Sequence, residues 1–151
     1  MYKHAPDGYD CPFCAMVRGD DNEPWCTQAD VVHRDPKTTA WVNGRWWLNN
    51  PGGVIVVPNE HVENLYGLDR ELAGDIHETA RRIALAMRRA FRCEGTSTRQ
   101  HNEHGGLQEV WHYHLHVFPR WVGDELYGSD ARLTTTEERA PYVAALRETL
   151  G

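Results

Sequence analysis

Residues 110–120 read VWHYHLHVFPR. His112, His114 and His116 stand at alternate positions, with Trp111, Tyr113, Leu115 and Val117 between and beside them. Successive side chains of an extended segment point to opposite faces. The pattern therefore predicts a strand over Val110–Phe118, with three imidazoles on one face and a hydrophobic set on the other. Neighbouring imidazoles would stand roughly 6.5–7 Å apart at Cα, near enough to converge on one centre. A merely polar, histidine-rich sheet face is the plain alternative, and strict alternation against core residues argues against it. Two chemistries fit. The three rings can share a catalytic metal. Alternatively, one neutral imidazole (unperturbed pKa about 6.5) attacks phosphorus and forms a bond that water later cleaves. Its neighbours would then stabilise the phosphoryl oxygens and the leaving group. These residues alone leave both readings open.

Working outward, Thr96–Asn102 reads as a strand that turns at Gly105-Gly106 into the histidine segment. Upstream, Leu72, Ile76, Ala80, Ile83, Ala84, Met87 and Phe91 recur in steps of three and four, the apolar stripe of one helix. Asp69 is placed to cap it and Gly95 to stop it. The arginines 81, 82, 88, 89 and 92 are read as its solvated face. Val31–His33 is a short strand before a turn at Asp35-Pro36. Thr38–Val42, Asn43-Gly44 and Arg45–Leu48 give a hairpin signal with a type I′ turn. Val54–Val57, apolar throughout, suits a strand covered on both faces. A last helix is predicted from near Pro141, a residue suited to a first helical position, with Val143, Leu146 and Leu150 inward. Strands joined by short turns, a helix, more strands and a helix predict an antiparallel sheet in an α+β domain.

The totals narrow the function. A chain of 151 residues suits one domain, burying roughly 68–70% of its accessible surface on folding. Sixteen Lys and Arg against 22 Asp and Glu leave a formal charge of −6, which argues against nucleic-acid binding. A small anionic ligand remains compatible, because a local pocket can be positive on an acidic protein. No apolar leader follows Met1, and VIVVP is far too short to span a bilayer. The expectation is a soluble cytoplasmic protein with no membrane partner. Its four cysteines are then reduced or metal-bound. Cys11 and Cys14 form C-x-x-C, half of a tetrahedral zinc site. Cys26 and Cys93 are read as free thiols, and Trp46-Trp47 as packing residues.

HYHLHVF, residues 112–118, matches His-φ-His-φ-His-φ-φ, where φ is hydrophobic, and so resembles the histidine triad (HIT) superfamily. GGLQEV, GGVIVVPNEHVENL and CPFC are similar to its Gly-rich turn, its strand and exit, and the start of its bacterial members. The resemblance spans about residues 11–121. It implies a single domain over 1–151, with a C-terminal extension and helix from about 122. It also implies a five-stranded antiparallel sheet with packed helices, and a homodimer. The implied activity is hydrolysis at the α-phosphorus of a nucleoside 5′-phosphate derivative, with adenine or another purine as base. Phosphoramidates, aminoacyl-adenylates and dinucleoside polyphosphates all belong to that class. His114 matches the nucleophile that forms a nucleotidyl-histidine intermediate. His116 matches the residue that contacts the phosphate and assists the leaving group, and histidine at this position favours hydrolysis over transfer. His112 would orient the nucleophile through its carbonyl. Asn102 and Gln108 match phosphate or nucleotide contacts, and Asn43 stands near a ribose-binding position. Cys11, Cys14, His61 and His112 match the ligands of a structural Zn²⁺, closed to substrate. Glu109 replaces the usual Ser or Thr and would repel a phosphate unless protonated or turned away. A metal-dependent hydrolase and a non-catalytic nucleotide sensor are the competing functions.

Overall fold

The long helix and the sheet segments emerge close to where side-chain periodicity puts them. In a computed structural model, which describes residues 2–151, the helices are α1 (Pro12–Arg18), α2 (Arg70–Ala90) and α3 (Thr136–Leu150). The strands are β1 (Val31–Arg34), β2 (Thr38–Val42), β3 (Arg45–Trp47), β4 (Val54–Pro58), β5 (Gly95–Arg99), β6 (Leu115–Arg120) and β7 (Ala131–Leu133). Five strands form an antiparallel sheet in the order β1-β2-β4-β6-β5, and β3 and β7 form a separate ribbon. The architecture is α+β.

Asp69 caps α2 by accepting from the Leu72 amide at 2.8 Å. The helix then buries Leu72, Ile76, Ala80, Ile83 and Met87 in one core with Val54, Val56, Leu115 and Val117. The other face of the sheet carries Trp41, Ile55 and Val57, which pack with Phe13 and Met16 of α1. Strand β4 is buried along its whole length, as its unbroken apolar run requires.

Four expectations need correction. First, Asn43-Gly44 does not close a hairpin: β2 pairs with β4, while β3 pairs with β7. A type I′ turn needs φ > 0 at both central residues, and neither has it. Gly44 is there for space, since a Cβ would lie 1.6 Å from the Trp25 carbonyl oxygen. Second, α2 stops at Ala90, five residues before Gly95, which opens β5. The left-handed residue after the helix is Arg92, with φ of 53°. Third, α3 starts at Thr136, and Pro141 lies within it. Thr135 and Glu138 form a reciprocal capping box, and that two-bond signal outweighs the proline preference. Fourth, the last sheet strand covers Leu115–Arg120 rather than Val110–Phe118. The preceding backbone bonds elsewhere: Tyr113 N–H to the Val62 carbonyl at 2.6 Å and Trp111 N–H to the Tyr9 hydroxyl at 3.2 Å.

Helix α3 is tied to the start of β1 by a buried pair that sequence reading passed over. Arg139 Nε and Nη2 donate to Asp30 Oδ1 and Oδ2 at 2.8 and 3.0 Å. Each side chain is 1% exposed. Arg139 Nη1 also reaches the Thr134 carbonyl at 2.6 Å, and the Thr27 amide donates to Asp30 at 2.8 Å. No helix of the described residues is long and apolar enough to cross a membrane.

Candidate active site

The alternation survives the loss of regular strand before Leu115. Tyr113, Leu115 and Val117 enter the core under α2, and the histidines take the opposite side, where Phe13 of α1 packs on His112 and His114. Trp111 is the exception, lying against His4 and His104 with ring centres 5.3 and 4.8 Å away. The Phe13 ring packs edge-on to His112 and His114 at 6.0 and 5.0 Å. His116 follows His114 at 5.2 Å and stacks on Phe118 at 5.7 Å. The sheet register sets His116 between Ile55 of β4 and Arg99 of β5.

Hydrogen bonds assign the tautomers. His114 Nδ1 lies 2.7 Å from the His112 carbonyl oxygen. A carbonyl only accepts, so Nδ1 carries the proton and Nε2 holds the free lone pair. His112 Nε2 lies 2.8 Å from the Pro58 carbonyl, which leaves its Nδ1 lone pair for another partner. Burial favours the neutral ring at all three. It pushes His112 down to about 4, lowers His114, and holds His116 well below the ordinary imidazole value. Near pH 7 the triad is therefore uncharged. Two effects of acid follow. Protonation of His114 removes the lone pair, so the acid limb of kcat/KM should fall below pH 6.5, and a limb at or above 6.5 would contradict the burial. The unfolded chain also binds protons that the folded one refuses. For metal-free protein the stability held above pH 6.5 should be lost as pH falls towards 4, which denaturant titrations at several pH values would read.

The Nδ1 of His112 faces the thiols. It lies 3.3 Å from Cys11 Sγ and 3.5 Å from Cys14 Sγ, and His61 Nδ1 lies 3.2 Å from Cys14 Sγ. All four donor atoms fall within 4.8 Å of one another. A tetrahedral zinc with Zn–S of about 2.3 Å and Zn–N of about 2.0–2.1 Å sets sulfur and nitrogen about 3.5–3.6 Å apart, so the donors fit. Pro58 supplies the outer hydrogen bond that zinc-binding histidines need. Without a cation, burial drives the Cys14 thiol up to about 11; a metal reverses that preference. Of the triad, only His112 joins a metal-holding group among the described residues.

The remaining candidates separate. Gln108 is buried and donates to the Glu63 and Val110 carbonyls while accepting from the Glu103 amide. Both its donors are engaged, so it braces the loop and has none left for phosphate. Asn102 accepts from the Leu65 amide and exchanges hydrogen bonds with Gln100. It sits with His4, Tyr66 and His104 on a cavity of about 580 Å³ that none of the triad lines; the chemistry of the triad, not that volume, marks the site. Gly106 keeps the loop tight, because a Cβ there would meet the Asn102 carbonyl oxygen at 2.1 Å. Asn43 donates to the Arg45 carbonyl, and its amide bonds to Gly53, which sets it on the face of His116 by alternation. Glu109 is exposed. Sequence reading missed Phe13 and Arg99: the first depends on how α1 packs, the second on the pairing of β5 with β6.

The HIT domain family profile matches residues 27–122. The protein Hit of Bacillus subtilis is 29% identical over 119 residues, covering 79% of this chain and 77% of that protein. A HIT-like protein of Methanocaldococcus jannaschii is 30% identical over 117 residues, covering 76% and 81%. Among solved structures, a zinc-bound histidine triad family protein from Mycobacterium smegmatis superposes with a TM-score of 0.77 at 27% identity, over 93% of each chain. The profile takes in more than half of the sequence and the whole triad, and the chain belongs to the HIT family.

Proposed function

We propose that this protein is a nucleotide hydrolase that works through a covalent nucleotidyl-histidine intermediate. The observation that carries the reading is the His114 tautomer: a buried, neutral ring whose Nδ1–H is held by the His112 carbonyl and whose Nε2 is a free nucleophile. Nε2 attacks the α-phosphorus, a P–N bond forms, and the bond to the leaving group breaks. His116, next along the same face, assists departure. Water then cleaves the P–N bond, releases the nucleoside monophosphate and restores His114. The substrate is a purine nucleoside 5′-phosphate derivative, the working state a cytoplasmic homodimer of single-domain chains. Asn43 lies on the face where nucleoside contacts would fall, whereas Gln108 and Asn102 shape the loop.

Cys11, Cys14, His61 and His112 would hold Zn²⁺ as a closed structural site. When bound, the ion supplies a crosslink between the N-terminal segment and the triad, and no chemistry. Zinc on all three histidines is disfavoured, because His112 Nδ1 is directed at the thiols. Cys11→Ser should lose the equimolar zinc of the wild type and unfold at a lower temperature; metal analysis with calorimetry checks this, and full zinc retention would remove Cys11 from the ligand set.

The direct test incubates the protein with adenosine 5′-phosphoramidate, follows AMP, and maps any acid-quenched adduct by mass spectrometry. AMP release with an adenylyl group on His114 supports the reading. Binding without turnover would favour a sensor, and turnover that vanishes on chelation and returns with metal would favour a metal-dependent hydrolase.

A further inference from the structure

Two arginines stand on the face of the triad, and the protein treats them differently. Arg120 is neutralised: its guanidinium meets both oxygens of Asp124 at 2.8 and 2.9 Å and donates to Ser97 at 2.9 Å. Arg99 pairs across the sheet with His116, so both side chains leave on the same side. Its guanidinium carbon lies 5.2 Å from the centre of the Phe118 ring and 5.5 Å from that of Tyr127. Among the described residues its Nε is buried without a hydrogen-bond partner. The rings hold the cation in place but satisfy none of its N–H donors. A half-buried guanidinium with an orphan donor is costly unless something accepts from it. The register partner of Arg99, His116, has its ring 5.2 Å from that of His114, so the guanidinium stands at the end of the face beyond the nucleophile.

We infer that Arg99 is a specificity-determining residue that binds an anionic group on the leaving group, so that the preferred substrates carry a second negative charge beyond the α-phosphate. This rests on the hydrolase reading above. His116 lies between the nucleophile and Arg99 along the face, so a group departing past His116 comes next to the guanidinium. Its planar fork suits a carboxylate or a further phosphate, bound through two parallel N–H···O bonds. A neutral amine leaves the orphan donor unsatisfied and gains nothing from the cation.

The test compares two phosphoramidates of AMP with equal bonds at phosphorus, one to β-alanine and one to β-alaninamide. They are nearly isosteric and differ by one carboxylate charge. The wild type should show the higher kcat/KM for the β-alanine adduct. The ratio of charged to neutral kcat/KM should fall at least about tenfold in Arg99→Gln, and Arg99→Lys should keep an intermediate ratio because it retains the charge and loses the fork. Thermal melts confirm that each variant folds. A ratio unchanged between wild type and Arg99→Gln overturns the inference, and so does an equal loss on both probes, which would put Arg99 on the α-phosphate. If the wild type turns over neither probe, the hydrolase reading fails. Arg99 is then judged by calorimetric binding of AMP and ADP. Tighter binding of ADP that disappears in Arg99→Gln sustains the anion subsite, and equal affinities in the wild type overturn it.

Discussion

Replacing His114 by alanine should lower kcat/KM for AMP release by at least about 10³-fold, the scale of loss when a covalent nucleophile is removed, while zinc content stays at the wild-type level. The separation of the two readouts follows from geometry. In the proposed reaction His114 offers its ring Nε2 to substrate, and its Nδ1–H is held by the His112 carbonyl. His112 contributes a carbonyl to that bond and its own Nδ1 to the cysteines. Deleting the His114 ring therefore leaves all four metal donors intact. It does open space beside Phe13, so His114→Gln, which fills more of it, is the companion variant and should be similarly inactive. Simultaneous loss of metal and activity would make His114 a ligand and sink the nucleophile. Residual activity within tenfold of the wild type would do so as well.

The largest effect on stability is expected at Arg139. Arg139→Met leaves the Asp30 carboxylate without its guanidinium partner at a site that is 1% exposed, and should cost about 3–5 kcal/mol in denaturant unfolding. The mechanism is the stranded charge rather than the lost attraction. Arg139 also satisfies the Thr134 carbonyl, so one further buried acceptor is orphaned. The double variant Asp30→Leu/Arg139→Met removes both charges and should recover most of the loss, since apolar replacement of a buried pair is often close to neutral. Equal destabilisation in the single and double variants would show that the helix α3 contact, and not charge burial, carries the energy. The Cys11, Cys14, His61 and His112 cluster and the triad lie elsewhere, so AMP release at low temperature should survive in the folded fraction.

The parts that were legible in sequence are those governed by local periodicity and donor chemistry. The stripe from Leu72 to Met87 and the Asp69 cap define α2 because a 3.6-residue period has one solution on an amphipathic helix. The alternation from Tyr113 to Val117 assigns each residue to a face although the sheet begins only at Leu115, because side chains of an extended chain alternate whether or not it is paired, and the bends at 110–112 end the pattern at Trp111. Cys11, Cys14, His61 and His112 could be grouped through the family's pattern, and their donors do converge.

What the tertiary structure decided concerns partners distant along the chain. Asn43-Gly44 carries a strong local hairpin signal, yet β2 gains more by pairing with the buried β4, and the glycine serves the approach of Trp25. Gln108 is a polar side chain of unknown direction in sequence; in the fold, three backbone groups absorb it. Asp30 and Arg139 are 109 residues apart, and nothing local marks them as a pair. The side chain of Arg99 becomes part of the site only once β5 lies against β6 in one register. Sequence by itself determined the α+β class and the triad, because each is written in spacing, and the triad's pattern pointed to the family and, through it, to four candidate metal donors. The fold alone decided which nitrogen of each histidine is free, which polar residues are spent on the backbone, and which cation is left over, because those depend on neighbours brought together by packing.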